Sequence, residues 1–119
     1  MTRNGMSQRS AARQTTVLEP FYRLRDRAQV LGFIQQHTFL VPLLLEASEP
    51  LRKYFPGSEA FLEVVTDPEV IGDRELVVSV LTDLDPGEAV PKLKRFDKDW
   101  WLNSSDRAQG KLCITLEYR

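Results

Sequence analysis

The sequence predicts an α+β fold: an N-terminal helical pair followed by β-β-α-β, with a small three-stranded, mainly antiparallel sheet packed with helices. Three observations lead to this prediction. Apolar residues recur at helical spacing early in the chain, two Val-rich segments follow, and a helix start signal precedes a final alternating segment. The 119 residues are enough for one domain. We expect this domain over 18–119, after a disordered basic leader over 1–17.

The helical pair is predicted from the spacing of apolar residues. One helical face after Pro20 carries Phe21, Leu24, Ala28 and Leu31. Pro20 suits a first helical position because its missing N–H is not needed there, so helix one is expected over about 20–36. Helix two is expected over about 38–55, broken at Pro50, because the proline ring collides with the carbonyl of Glu46.

Two strands are predicted at 60–66 and 74–82, separated by the turn-forming segment DPEVIGD. In the favoured register Thr66 pairs with Leu76, which sorts the side chains of both strands cleanly by face. One face is wholly apolar and carries Leu62, Val64, Val78 and Val80. The other face carries Phe61, Glu63, Val65, Val77, Ser79 and Leu81.

The third helix has a well-marked start, with Asp85 as N-cap, Pro86 at the first helical position and Glu88 in the first turn. Pro91 is expected to separate an opening turn from a main helix over 91–102. The last strand is KLCITLEY, 111–118. We favour its pairing beside strand one in an antiparallel sheet of order 2-1-3. The alternative is a right-handed crossover that leaves it parallel to strand two.

Composition and charge exclude several classes of protein. The net charge is −1, which provides no basic field for nucleic acid. The one cysteine, Cys113, excludes an internal disulfide and a Cys-rich zinc site and is compatible with the cytoplasm. The apolar run FLVPLLL, 39–45, is far shorter than the ~20 residues of a membrane span. The Arg-bearing leader has one alternative interpretation, an organellar transit peptide.

The adjacent tryptophans Trp100 and Trp101 are the most unusual local feature. Trp100 continues the stripe of Leu93 and Phe96, so it is expected in the core. Trp101 is turned about 100° away. Its row on the helix consists of Val90, Lys94, Asp97 and Lys98. The favoured interpretation packs Trp101 over the sheet edge or a neighbouring helix. The alternatives are a partly exposed partner anchor, rimmed by charges that include Arg95 and Asp99, and a base-stacking platform.

The less apolar sheet face is the second candidate surface. Phe61, Val65, Val77 and Leu81 would form an apolar patch around Glu63 and Ser79. In a domain of this size such a patch is covered either by the first two helices, which we slightly favour, or by a partner or second subunit.

The sequence carries no recognisable motif for catalysis or cofactor binding. His37 has no residue of metal-ligand spacing near it and no nucleophile motif, so a capping or packing role is favoured. The scattered glycines form no phosphate-binding loop, and no cofactor is expected. The carboxylates that could meet at a sheet edge and hold a divalent metal are Glu63, Asp83, Asp85 and Glu117.

These observations favour a cytoplasmic interaction or regulatory protein that binds another macromolecule, either another protein or a second copy of itself. Its expected contact surfaces are the Trp101 row of helix three and the Phe61 face of the sheet. Neither nucleic acid nor a membrane is expected as a partner. The alternative is a small hydrolase or nuclease that depends on a divalent metal held by the four carboxylates.

Overall fold

The computed structural model describes residues 17–66, 68–69 and 72–119, and these residues form an α+β fold. The elements are β1 (Arg23–Leu24), α1 (Arg27–Gln36), α2 (Leu40–Tyr54), β2 (Glu59–Thr66), β3 (Arg74–Thr82), α3 (Pro86–Phe96) and β4 (Leu112–Tyr118). Between α3 and β4 the chain forms a π-helical turn (Asp97–Trp101), an α-helical turn (Leu102–Ser104) and a 3₁₀ turn (Ser105–Ala108). The predicted leader, Val17 apart, lies outside the described residues.

The sheet is mixed and has four strands in the order β1-β2-β3-β4, so the predicted three-stranded, mainly antiparallel sheet is wrong in detail. Strands β2 and β3 are antiparallel, whereas β1 is parallel to β2 and β4 is parallel to β3. The favoured order 2-1-3 is therefore wrong, and the crossover alternative is the one observed. The connection through α3 is long enough to return the chain to the same end of the sheet, as a parallel neighbour requires.

The pairing of β2 with β3 differs from the predicted register by two residues. Thr66 pairs with Arg74 rather than with Leu76, and Leu62 pairs with Val78. A shift of two residues leaves every side chain on its predicted face, because side chains alternate with a period of two.

Helix α1 begins at Arg27, seven residues later than the predicted start at Pro20. The chain before it forms a turn, in which the N–H groups of Phe21 and Tyr22 donate to the carbonyl of Leu18, and then the short strand β1. Asp26 is the N-cap, and its carboxylate accepts from the N–H of Gln29 at 3.4 Å. The expected helical face over Phe21 and Leu24 therefore belongs to a turn and a strand.

Neither interior proline breaks its helix. Pro50 lies within α2 and Pro91 lies within α3, so the expected break and the expected start of a main helix at 91 are both wrong. Each ring removes one backbone hydrogen bond. Packing offsets that loss, because α2 buries Ala47 and Leu51 on either side of Pro50, and α3 buries Ala89 and Phe96.

The core lies on one side of the sheet only. The buried apolar residues of the strands all belong to one face: Leu62, Val64, Leu76, Val78, Val80, Leu112 and Ile114. They form a single cluster with buried side chains of all three helices, among them Phe33, Leu44 and Phe96. Tyr22 joins this layer, and its hydroxyl donates to the carbonyl of Leu44 at 2.6 Å. The described residues thus form two layers, helices on one face of a sheet.

The start of α3 provides a test of the capping assignment. The carboxylate of Asp85 accepts from the N–H of Glu88 at 3.0 Å. Asp85→Ala is expected to lower the free energy of unfolding by about 1 kcal/mol, measured by urea denaturation, because an N-terminal donor of the helix loses its partner. Asp85→Asn should retain most of the stability.

Asp83→Ala is the matched control for this prediction. Asp83 pairs with Arg119 at 3.1 Å, with 54% and 81% of the arginine and aspartate side chains exposed. Exposed pairs of this kind contribute little, so a change of a few tenths of a kcal/mol is expected. Equal losses in Asp83→Ala and Asp85→Ala would contradict the capping role.

Candidate functional site

No helix among the described residues covers the sheet face opposite the core. This face carries the side chains that the sequence placed there, with additional residues from β1 and β4. Val65 is 40% exposed, and Phe61, Val77 and Leu81 are half-buried. We call this surface the open face. The favoured expectation, that the first two helices cover it, is wrong, because α1 and α2 pack on the other face with α3.

Arg25 crosses the open face and is its central charged group. The guanidinium lies over the ring of Phe61, with its Cζ atom 4.1 Å from the ring centroid. Two of its nitrogens donate to the two carboxylate oxygens of Glu117, at 2.8 and 2.6 Å. A carboxylate oxygen of Glu63 is 3.6 Å from the guanidinium. One arginine beside β1 thereby links β2 and β4 across the sheet.

This arrangement changes the acidity of Glu117. Its hydrogen bonds with Arg25, and then the positive charge itself, lower the pKa of the Glu117 carboxyl below its ordinary value. In turn, the carboxylates of Glu117 first and then Glu63 raise the pKa of the Arg25 guanidinium. Both groups are therefore ionised near neutral pH, and the Glu117 carboxylate accepts hydrogen bonds from Arg25 with both of its oxygens.

Trp101 does not lie where a regular α-helix would place it. Within the π-helical turn the N–H of Leu102 donates to the carbonyl of Asp97, five residues earlier. The wider turn brings Trp101 towards the row of Phe96, so both tryptophans are half-buried against the core. Their rings stack with centroids 5.8 Å apart. The ring of Trp101 therefore packs against the core with part of its surface exposed.

The predicted Trp101 row lies on the side of α3 away from α2. Asp99 faces α2, where it accepts a hydrogen bond from the hydroxyl of Tyr54. Asp97, two residues earlier, lies on a different side of the helix and is close enough to Cys113 of β4 to influence its ionisation. Val90 shares the Asp97 side and is 37% exposed, and both Lys94 and Lys98 are exposed.

Cys113 lies on the open face and has a suppressed acidity. Burial first, and then the negative charges of Glu75 and Asp97, raise the pKa of its thiol. Asp97 is itself half-buried, and this burial raises the pKa of its carboxyl. A thiol of raised pKa is a weak nucleophile at neutral pH, so Cys113 is not poised for catalysis.

The carboxylates of the alternative metal site have other partners. Glu63 and Glu117 contact Arg25, Asp83 pairs with Arg119, and Asp85 caps α3. Across the described ranges, no group of three or more His, Cys, Asp or Glu side chains could hold a metal ion. The geometry therefore offers no support for the alternative of a metal-dependent hydrolase.

His37 has a structural role in the described part of the chain. Its Nδ1 atom is 2.9 Å from the carbonyl oxygen of Phe33, and its ring stacks on the Phe33 ring with centroids 4.3 Å apart. These contacts agree with the expected capping and packing role at the end of α1.

An apolar cleft beside the end of α2 was not predicted. A cleft of about 310 Å³ opens between the N-terminal turn, the end of α2 and the start of β2. Its walls include Phe21, Leu51 and Phe55, and Arg52 and Ser58 lie beside them. Arg52 stands over the ring of Phe21, 5.4 Å from the centroid.

Arg25 is the site residue that the sequence did not reveal. It fell inside the expected helix one, and its strongest partner, Glu117, is 92 positions away. No local pattern carries such a signal, because β1 is two residues long and its pairing depends on the placement of β2.

Comparison with known protein families, with curated proteins and with solved structures finds no match for this chain. Within the described residues no single helix is long and apolar enough to cross a membrane. The pair α1 and α2 reaches that length and apolarity only together, and it is bent by 117°.

The Arg25–Glu117 pair predicts a pH dependence of stability. A carboxyl whose pKa is lowered by folding stabilises the native state above its unfolded pKa, and the stabilisation disappears as the pH falls through the folded pKa. Glu117→Gln is therefore expected to be less stable than the wild type near neutral pH, and the gap should close below pH ~4. Urea denaturation at a series of pH values measures this gap.

Glu49→Gln is the control, because Glu49 is exposed on α2 and forms no ion pair with any described residue. Its stability difference from the wild type should show no comparable closure. A gap for Glu117→Gln that stays constant down to the acid transition would contradict the assignment.

The position of Asp97 predicts a change in thiol reactivity. Asp97→Asn removes one of the charges that raise the pKa of Cys113. We expect the rate of thiol modification by a maleimide at fixed, mildly alkaline pH to rise about two- to threefold, because more thiolate is present. Asp99→Asn, on the α2 side of the same turn, should leave the rate unchanged. Equal rates in wild type and Asp97→Asn would place Asp97 away from Cys113.

Proposed function

We propose that this domain is an interaction module that binds another protein through the open face of its sheet. The observation that carries the proposal is an apolar sheet face without a helical layer in the described part of the chain. Phe61, Val65, Val77 and Leu81 all point to this side. Burial of such side chains is favourable by about 25 cal/mol per Å² of apolar area, which a partner surface would gain.

The charges on the open face favour a protein partner over nucleic acid. The basic residues on or flanking the four-stranded face are Arg23, Arg25, Lys111 and Arg119, and the acidic ones are Glu59, Glu63, Glu75, Asp83 and Glu117. Arg25 is held by Glu117 and Glu63, and Arg23 lies 3.6 Å from Glu59. Phosphate groups would therefore meet no free guanidinium there. The partner surface that would complement the open face is an apolar patch with a basic rim.

The aromatic ring of Phe61 and the guanidinium of Arg25 form the centre of this surface. Aromatic and Arg side chains are enriched among residues that dominate binding energy. The ring and the bidentate ion pair also hold each other in place, so little side-chain entropy remains to be lost on binding. Val65 and Leu81 lie near opposite ends of this surface.

The experiment compares two charge-matched double variants of the full chain. Val65→Lys with Leu81→Lys places two ammonium groups on the open face, and Val17→Lys with Phe21→Lys places two in the N-terminal turn. Each tagged protein is used to isolate stoichiometric partners from native lysate, and the affinity for the identified protein is then measured. The open-face variant should bind at least about tenfold more weakly, because a buried unpaired charge costs several kcal/mol.

The control variant should bind like the wild type, and both variants should melt cooperatively. Retention of the partner by the open-face variant would move the contact elsewhere on the molecule. Recovery of no protein by the wild type, or recovery of nucleic acid alone, would contradict the proposal.

A further inference from the structure

The outer edge of β4 presents a row of unpaired backbone groups. The N–H of Leu76 donates to the carbonyl of Lys111, and the N–H of Arg119 donates to the carbonyl of Thr82. In a parallel ladder with these ends, the N–H and C=O groups of the odd-numbered residues of β4 bond to β3, and those of the even-numbered residues point away from the sheet. These even-numbered residues are Leu112, Ile114, Leu116 and Tyr118. Their N–H and C=O groups have no hydrogen-bond partner among the described residues.

Features that normally protect an edge strand are missing from β4. The strand has seven residues, LCITLEY, without proline, and its one charged side chain, Glu117, is turned across the open face to Arg25. The opposite edge of the sheet is different, because β1 is only two residues long. Short strands, prolines and outward charges are the usual means of preventing edge-to-edge pairing. The edge of β4 is therefore competent for strand addition.

The helical layer beside this edge exposes two apolar side chains among charged ones that include Lys94 and Lys98. Val90 lies on the side of α3 away from α2, and Leu102, which follows Trp101, is 66% exposed. A strand added to β4 by a molecule with its own helical layer would bring a second set of such side chains against them. A lone extended peptide would leave them uncovered. This difference favours a folded partner of the same architecture.

We propose that β4 pairs antiparallel with β4 of a second copy of this chain, joining the two sheets into one of eight strands. A two-fold axis perpendicular to the sheet places both helical layers on the same side, with α3 beside α3. The inference concerns a different surface from the open face. It holds whether or not that face binds a protein.

Charge decides the register of this pairing. With the axis at Ile114, Lys111 of each copy lies opposite Glu117 of the other, and Leu112 lies opposite Leu116. With the axis at Thr115, Lys111 would lie opposite Arg119 twice, and like charges directly opposite each other are destabilising. The axis at Ile114 therefore gives the favoured register, with hydrogen bonds at Leu112, Ile114 and Leu116.

The first test compares two variants that lose a similar amount of side chain, only one of which also loses an outward backbone donor. Leu116→Pro lacks the N–H that would donate to the second copy, whereas Leu116→Ala keeps it and removes a comparable part of the half-buried side chain. Sedimentation equilibrium is expected to show a wild-type dimer. Leu116→Pro should raise its dissociation constant about tenfold or more relative to Leu116→Ala, because two hydrogen bonds are lost per dimer.

The second test addresses the register. Lys111→Glu should weaken the dimer by placing like charges opposite each other, whereas Lys53→Glu on α2 changes the net charge equally and should not. In the favoured register the two Cys113 Cα atoms are about 8 Å apart on the open face. A short bis-maleimide should therefore link the single cysteines of the wild-type dimer at alkaline pH.

A monomer at every concentration studied would overturn the inference. A dimer that Leu116→Pro leaves intact would also overturn it. A dimer broken by Val65→Lys with Leu81→Lys instead would place the contact on the open face and would equally overturn the inference. A dimer weakened by Leu116→Pro and Lys111→Glu, and cross-linked through Cys113, supports pairing at the β4 edge.

Discussion

The packing of three helices against a single apolar face of the sheet is the constraint on which the rest of this structure depends. Leu62, Val78 and Ile114 belong to the same layer as Phe33, Leu44 and Phe96. Because the crossover through α3 returns to the same side as α1 and α2, the opposite face has no helical cover among the described residues. The clean separation of side chains between the two faces, which follows from the period of two, makes this one-sided arrangement stable.

Arg25 gives the open face its internal order. It lies just beyond β1, it contacts Phe61 and Glu63 on β2, and it reaches Glu117 on β4. The ion pair is partly exposed, so its contribution to stability is modest, but its bidentate geometry orients the guanidinium over the ring. The surface is consequently organised before any partner arrives, which reduces the entropy lost on binding.

The π-helical turn after α3 explains how adjacent tryptophans both reach the core. In a regular α-helix Trp101 would lie about 100° from Trp100 and away from Phe96. The additional residue in the turn rotates Trp101 inward while Asp99 stays on the α2 side and Asp97 stays near β4. Such turns are rare and often occur at functional sites. Here the turn also places the exposed Leu102 at the end of the helical layer.

The sequence by itself determined the elements with strong local signals: the α+β class, the Asp85 cap, and the faces of β2 and β3, including the group of Phe61, Val65, Val77 and Leu81. Local periodicity suffices for these, because side-chain direction within a strand or helix repeats along the chain. The tertiary structure decided the two-residue register shift, the continuation of α2 through Pro50, the position of β4 beside β3, and the pairing of Arg25 with Glu117. Each of these depends on contacts between distant segments, where the gain from packing outweighs a local preference that the sequence displays.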